Sequence, residues 1–253
     1  MTAETAAAPI HLGLFGAGGR MGRAVISLVP EFPTLTLSTT VGHRTDPEID
    51  FAGCDVVIDF ALAQATDDLL KRLDGSRAAL ITGVTGRTQA QEDAIRVRQH
   101  VAPVLEASNF SVGVAILRRL AAQAAKMTGT DWDLEVMEIH HRRKQDAPSG
   151  TALTLATDLA EARGQPWPQS GAMGRAATGG SRSAGEIGVS AVRGGDVVGD
   201  HTIYFMGPME RLELTHRAID RRVFAHGALL CARWAARQGP GLYTIYDVLD
   251  DAI

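Results

Sequence analysis

The stretch Ile10-His11-Leu12-Gly13-Leu14-Phe15-Gly16-Ala17-Gly18-Gly19-Arg20-Met21-Gly22 decides the fold. Ile10 to Phe15 is a short apolar run with the character of a buried strand, and Ala24, Val25, Leu28 and Val29 follow at helical spacing. Strand, glycine turn and helix together open a dinucleotide-binding unit, because the turn's free N–H groups and the positive end of the helix dipole suit a pyrophosphate. The G-x-G-x-x-G spacing is broken, since Met21 stands where the third glycine belongs and Gly22 follows one place later. Glycines that merely make a tight turn are the competing reading.

Beyond this helix, Thr34–Val41 reads as a second strand that ends at Gly42-His43-Arg44, about twenty residues after the glycine turn, where such units read the adenosine ribose. No acid stands there to bind a 2′-hydroxyl; His43 and Arg44 suit a 2′-phosphate better, or form a solvated turn. Asp55–Phe60 is a third strand, followed by a helical stretch Ala63–Leu73. Ala78–Thr82 is a fourth, with Gly83-Val84-Thr85-Gly86 at its carboxyl end, where ligands bind in open α/β sheets. A helix Gln89–His100 leads to a fifth strand, Pro103–Glu106, and to Ser108-Asn109-Phe110-Ser111. After Val112 the character changes. An alanine-rich helix Gly113–Met127 suits a connector, and Trp132–Ile139 follows as a strand with Trp132, Leu134 and Val136 on one face and Met137 and Ile139 on the other. Apolar residues on both faces predict that both are covered.

That strand delivers His140 into Glu138-Ile-His-His-Arg-Arg-Lys-Gln-Asp-Ala-Pro-Ser-Gly-Thr-Ala152. Ser149 is a strong N-cap residue, and Ala152, Leu153, Ala156, Leu159 and Ala160 carry a helix onward to Arg163, stopped by Gly164. A basic loop running into a helix start is a site for a carboxylate or phosphate. Adjacent histidines offer a proton near neutral pH, and Lys144 offers a positive charge. A solvated basic turn and a metal site of Glu138, His140 and His141 are the alternatives; adjacent histidines rarely converge on one ion, so no metal is assigned.

From Ser170 to Gly199 nine glycines interrupt strand-like pieces such as Ile187–Val192. This segment is expected to be a mobile cover over the substrate. His201–Met206 and Glu210–Thr215 alternate as antiparallel strands, and Val223–Gln238 is an amphipathic helix expected to return to the first domain. A net charge of −4 argues against nucleic-acid binding. No run reaches ~18 apolar residues, and residues 1–9 lack a leader's basic and apolar regions, so a cytoplasmic location without membrane contact is expected. Cys54 and Cys231 read as reduced thiols.

Glu138-x-His140-His141-x-x-Lys144-x-Asp146-Ala-Pro-Ser149-Gly150-Thr151-Ala152 closely resembles the signature of the dihydrodipicolinate reductase family, and Gly16–Gly22, Ser108–Ser111 and Ala191–Thr202 extend the resemblance over nearly the whole chain. The resemblance implies NAD(P)H-dependent reduction of 4-hydroxy-tetrahydrodipicolinate to tetrahydrodipicolinate, in lysine and diaminopimelate biosynthesis, by a homotetramer. Under it Gly16, Ala17, Gly18, Gly19, Arg20 and Met21 cradle the pyrophosphate of NADPH or NADH, His43 and Arg44 lie at the ribose, and Phe60, Gly83, Val84, Thr85, Ser108, Asn109, Phe110 and Ser111 complete the cofactor site. Lys144 is the proton donor with His140 as its acid/base partner; His141, Ser149, Gly150 and Thr151 anchor a dicarboxylate. Ala61 and Val84 replace family hydroxyls, and Gly42 stands where many members carry an acid. The fold class is α/β: a Rossmann-like dinucleotide-binding domain (1–111 and 222–253) and an α+β substrate and oligomerisation domain with a mixed sheet (112–221), function residing where they meet. Another two-domain NAD(P)-dependent dehydrogenase of amino-acid metabolism is the rival enzyme. A non-catalytic NAD(P)-binding redox sensor is the rival from another class, and it calls for a basic recognition helix that the sequence lacks.

Overall fold

The structure is a computed structural model that describes residues 8–43, 48–174 and 180–251. Packing separates Met1–Val112 with Arg222–Ile253 from Gly113–Arg221. The first unit begins with β1 (Ile10–Phe15), α1 (Arg20–Leu28), β2 (Leu35–Val41), β3 (Val56–Asp59), α2 (Thr66–Arg72), β4 (Ala79–Thr82), α3 (Gln89–Val97) and β5 (Pro103–Glu106). The second unit holds most of α4 (Val112–Thr128), then β6 (Asp133–His140), α5 (Gly150–Ala162), β7 (Gly171–Met173), β8 (Ile187–Arg193), β9 (Gly199–Met206) and β10 (Arg211–Ala218). The chain then returns to the first unit with α6 (Arg222–Ala235), β11 (Gly241–Tyr243) and α7 (Ile245–Asp250).

The first sheet runs β11-β5-β4-β3-β1-β2 and all its pairs are parallel. Strands β3 and β4 are buried along their whole length, which is why they read as unbroken apolar runs, whereas β2 alternates buried with exposed residues as an edge strand does. Phe15, Val57, Leu80 and Val104 pack with Leu69, Leu73 and Ile95, while α6 packs against α1, β3, β4 and β5. Each fully buried leucine of this core contributes about 1.5–3 kcal/mol. From β1 the chain steps outward to β2 and crosses back to β3 on the other side, so the order reverses between β1 and β3. That reversal opens a crevice at the carboxyl ends of the two strands.

The second sheet, β10-β9-β6-β8-β7, is mixed: β6–β9 and β9–β10 are antiparallel, while β6–β8 and β7–β8 are parallel. Leu117, Ala121 and Ala125 of α4 and Leu155, Ala156 and Leu159 of α5 pack on Leu134, Val136, Ile187, Val189, Ile203 and Phe205.

Two expectations are corrected here. Strand β6 is not covered on both faces within a single chain: Leu134, Val136, Glu138 and His140 are buried, but Met137 and Ile139 are half-buried, because α4 and α5 lie on one side only. The glycine-rich segment is not simply a mobile cover either, since β7 and β8 within it are sheet strands and Ile187 and Val189 are core; its residues 175–179 lie outside the described residues. One of its glycines, Gly188, sits in β8, within the piece that reads as strand-like. A Cβ there would come 1.9 Å from Oε2 of Glu135, whose carboxylate, paired with Arg182, lies across the strand. Strand β11 and helix α7 were not foreseen.

Candidate active site

In the first unit the crevice between β1 and β3 is lined by the glycine turn. Gly16 has φ +88°, and a Cβ there would lie 2.7 Å from the Phe60 carbonyl carbon, so the turn after β1 abuts the turn after β3. Helix α1 starts at Gly19 without a side-chain cap and without an acid in its first turn. The space beside Gly18 is open, so N–H groups at the exposed helix start can meet an anion. The displaced third glycine also finds its job. A Cβ on Gly22 would lie 2.3 Å from the Gly16 carbonyl oxygen, so Gly22 is what lets the helix close on the turn. These features fit a dinucleotide pyrophosphate.

The other sequence-proposed cofactor residues gather at neighbouring strand ends. Phe60 and Phe110 meet edge to face at 5.6 Å, with Gly83 between their rings. Val84 and Thr85 continue from Gly83; Ser108 is exposed, and Asn109 Oδ1 accepts the Ser111 N–H at 2.8 Å. His43 is exposed beyond β2, while Arg44 lies outside the described residues. Beneath the crevice, Asp59 accepts bonds from Arg87 Nη2 (2.6 Å) and Thr82 Oγ1 (3.0 Å) through one oxygen and from the Ala61 N–H (3.0 Å) through the other. This buried group pins the turns after β3 and β4 together.

In the second unit the inner face of β6 changes from Leu134 and Val136 to Glu138 and His140. Glu138 is fully buried. Its Oε1 accepts from Arg193 Nη2 (2.7 Å) and the Ser149 N–H (3.0 Å), and its Oε2 from Arg193 Nη1 (3.0 Å) and His140 Nδ1. Burial pushes this carboxyl up, but the bonds from Arg193 and His140 outweigh it and hold the group below the usual carboxylate range. Ser149 caps α5 by accepting the Ala152 N–H at 3.2 Å, Gly150 is exposed beside it, and Thr151 is half-buried in the first turn. His201 meets the His140 ring edge to face at 5.3 Å and sits 3.4 Å from Ser149 Oγ.

Lys144 Nζ donates to both oxygens of Asp146 at 2.8 Å, and among the described residues it makes no hydrogen bond to His140. His141 is half-buried, with an enclosed Nδ1 that has no partner among the described residues. Desolvation and then the cationic neighbours Arg221 and Arg143 push its imidazole down. The fold thus gathers His140 and Ser149 around one carboxylate, with His141, Lys144, Gly150 and Thr151 on the adjoining loop and helix start. Sequence reasoning assigned no catalytic part to Glu138, Asp146, Arg193 or His201. The available signal was strand alternation, which puts Glu138 and His140 on one face, but their cross-strand partners His201 and Arg193 need the register. A buried, clamped imidazole beside a helix start that suits an anion can move a proton to or from a molecule bound there.

The chain is similar to known proteins over nearly its whole length. The family descriptions "Dihydrodipicolinate reductase, N-terminus" and "Dihydrodipicolinate reductase, C-terminus" match residues 10–110 and 113–249. The 4-hydroxy-tetrahydrodipicolinate reductase of Akkermansia muciniphila is 44% identical over 240 residues, covering 95% of this chain and 98% of that one. That of Zymomonas mobilis is 40% identical, covering 98% and 99%. The dipicolinate-bound dihydrodipicolinate reductase of Paenisporosarcina sp. TG-14 shares the fold with a TM-score of 0.75 at 22% identity, covering 93% of this chain and 97% of that one.

Proposed function

The chain belongs to the dihydrodipicolinate reductase family, and from that membership we propose its reaction and the part each residue plays. It is an NAD(P)H-dependent oxidoreductase that reduces 4-hydroxy-tetrahydrodipicolinate to tetrahydrodipicolinate, in lysine and diaminopimelate biosynthesis. The observation that carries the site reading is Glu138, whose one carboxylate accepts from both the His140 ring and the Ser149 N–H at the anion-binding start of α5.

The reduced nicotinamide supplies a hydride. Overall the substrate also takes up one proton and loses its hydroxyl as water. The turn Gly16–Met21 and the start of α1 would hold the pyrophosphate; Phe60, Gly83–Thr85 and Ser108–Ser111 would shape the nicotinamide side; His43 would border the ribose, the part proposed for Arg44 lying outside the described residues. The N–H groups of Gly150 and Thr151, the Ser149 hydroxyl and the His141 ring bind the substrate carboxylates. Lys144 gives the proton and His140 is its acid/base partner, the pair drawing its replacement from solvent. Because Lys144 starts out held by Asp146, an incoming carboxylate competes with Asp146 for the ammonium.

The half-exposed outer face of the second sheet supports assembly into a homotetramer. No helix among the described residues is long and apolar enough to cross a membrane, and a cytoplasmic location fits a biosynthetic enzyme with two free, buried cysteines. The deciding assay is steady-state oxidation of NADPH and of NADH by purified protein with 4-hydroxy-tetrahydrodipicolinate. Turnover is expected with NADPH at least as efficient as NADH, because Gly42 leaves no carboxylate to repel a 2′-phosphate. Oxidation of neither cofactor would remove the reading.

A further inference from the structure

Glu138 stands out as the buried acid on the inner face of β6, between an apolar floor and the site. A carboxylate offers about four acceptor positions, and four donors fill them here: both arms of the Arg193 guanidinium, the Ser149 N–H and His140 Nδ1. Those donors come from β8, from the cap of α5 and from the end of β6 itself. Arg193 is fixed in turn, since its Nη2 also donates to the Asp146 carbonyl at 2.6 Å and its Nη1 to the Val192 carbonyl at 2.7 Å. The other edge of the His140 ring is confined as well. A Cβ on Gly199 would lie 2.9 Å from His140 Nε2, so only glycine at the start of β9 leaves room for the ring.

We infer that Glu138, clamped by Arg193, is a positioning residue: it fixes His140 as the Nδ1–H tautomer, so that Nε2 is the atom through which the proton passes, and it ties that ring to the carboxylate-binding start of α5. This rests on the proposed role of His140. An ionised carboxylate only accepts, so the Nδ1 facing it must carry the hydrogen, and the second nitrogen is left for chemistry. The fork of Arg193 matters because two parallel bonds fix the plane of the carboxylate, which one ammonium would not do. Through Oε1 the same plane sets the direction of the Ser149 N–H and hence where the helix start lies.

The test is a ¹⁵N-histidine NMR measurement of the His140 tautomer in the full-length protein, with the His140 signal assigned by its loss in His140→Ala. The wild type is expected to show protonation at Nδ1, and Glu138→Gln, whose amide can donate as well as accept, to show Nε2 protonation or a mixture. In steady-state assays Glu138→Gln should lose about 10²-fold in kcat with substrate KM nearly unchanged, because the glutamine carbonyl still accepts the Ser149 N–H that Oε1 accepts in the wild type, and Glu138→Gln/His140→Ala should be no slower than His140→Ala alone. Arg193→Lys keeps the charge without the fork and should show a smaller change in the same direction; it decides the matter if Glu138→Gln does not fold. An unchanged tautomer, or losses that multiply in the double variant, would overturn the inference. If His140→Ala itself turns over normally, the proton-transfer role of His140 fails, while the tautomer measurement still judges what Glu138 does.

Discussion

Burial, reinforced by the neighbouring His140, pushes the His201 imidazole from 6.5 down to about 4, although Glu138 pulls the other way and His216 and Lys144 add to the downward push. The folded ring takes its proton only below about 4 and the unfolded ring below 6.5, so the unfolded state binds more protons in that window and stability falls as pH drops through it. The contribution is on the order of 3 kcal/mol when fully expressed. Urea unfolding of wild type and His201→Asn between neutral pH and pH ~4 should give curves that converge or cross as pH falls; parallel curves would show that His201 does not titrate against folding. At the same scale, His140→Ala and Lys144→Ala are each expected to lower kcat about 10²–10⁴-fold with cofactor Kd nearly unchanged, checked by single-turnover rates and cofactor titration. Near-normal turnover in both would end their assignment. The histidines and the lysine were legible as residue types in a charged run, but Glu138 was not legible as their organiser, because an acid in a strand looks solvent-facing until the strand's buried face is known.

At the scale of elements, the displaced glycine gives the sharpest case. A consensus spacing counts residues, whereas packing responds to where the helix surface touches the preceding turn, and Gly22 is the residue at that contact. Gly22→Ala would force its Cβ against backbone, which a well-packed interior resists at about 1–3 kcal/mol. The expected outcome is a lower Tm together with weaker cofactor binding, while Met21→Ala, on the half-buried neighbour, should leave the Tm closer to wild type. Equal behaviour of the two variants in thermal unfolding with and without NADPH would contradict this placement. Strand β8 shows the opposite lesson. Its Ile187–Val192 core reads as strand-like despite Gly188, and in the sheet the Glu135 carboxylate occupies the space beside that glycine.

At the scale of the whole molecule, the second sheet leaves Met137, Ile139, Val192 and Met206 half-buried or exposed on the face away from α4 and α5. These apolar side chains stand among Asp133, Glu135, Asp200 and Thr202, and a mixed face of this kind suits association between copies of the chain. Replacing Met137 by Glu should reduce the mass measured by analytical ultracentrifugation from that of the proposed tetramer, and an unchanged mass would remove this face from the proposed assembly. The change from βαβ alternation to a long alanine-rich helix followed by antiparallel strands was legible, because it is a change of period and composition. The closing strand β11 was not, since three residues after Gly239-Pro240 become a strand only by finding the free edge of β5.

By itself the sequence determined the alternation of strands and helices, the glycine turn, the cap at Ser149 and the run of basic and imidazole groups before it, since each depends on neighbours a few residues away. The tertiary structure decided what depends on distant partners: that the inner face of β6 turns polar at Glu138, that Arg193 and His201 are brought beside it by the register of β8 and β9, and that Lys144 rests on Asp146. The physical reason is that a carboxylate's protonation and a ring's tautomer are set by burial and by donors within hydrogen-bond distance, and here two of the deciding donors come from Arg193, 55 residues further along the chain.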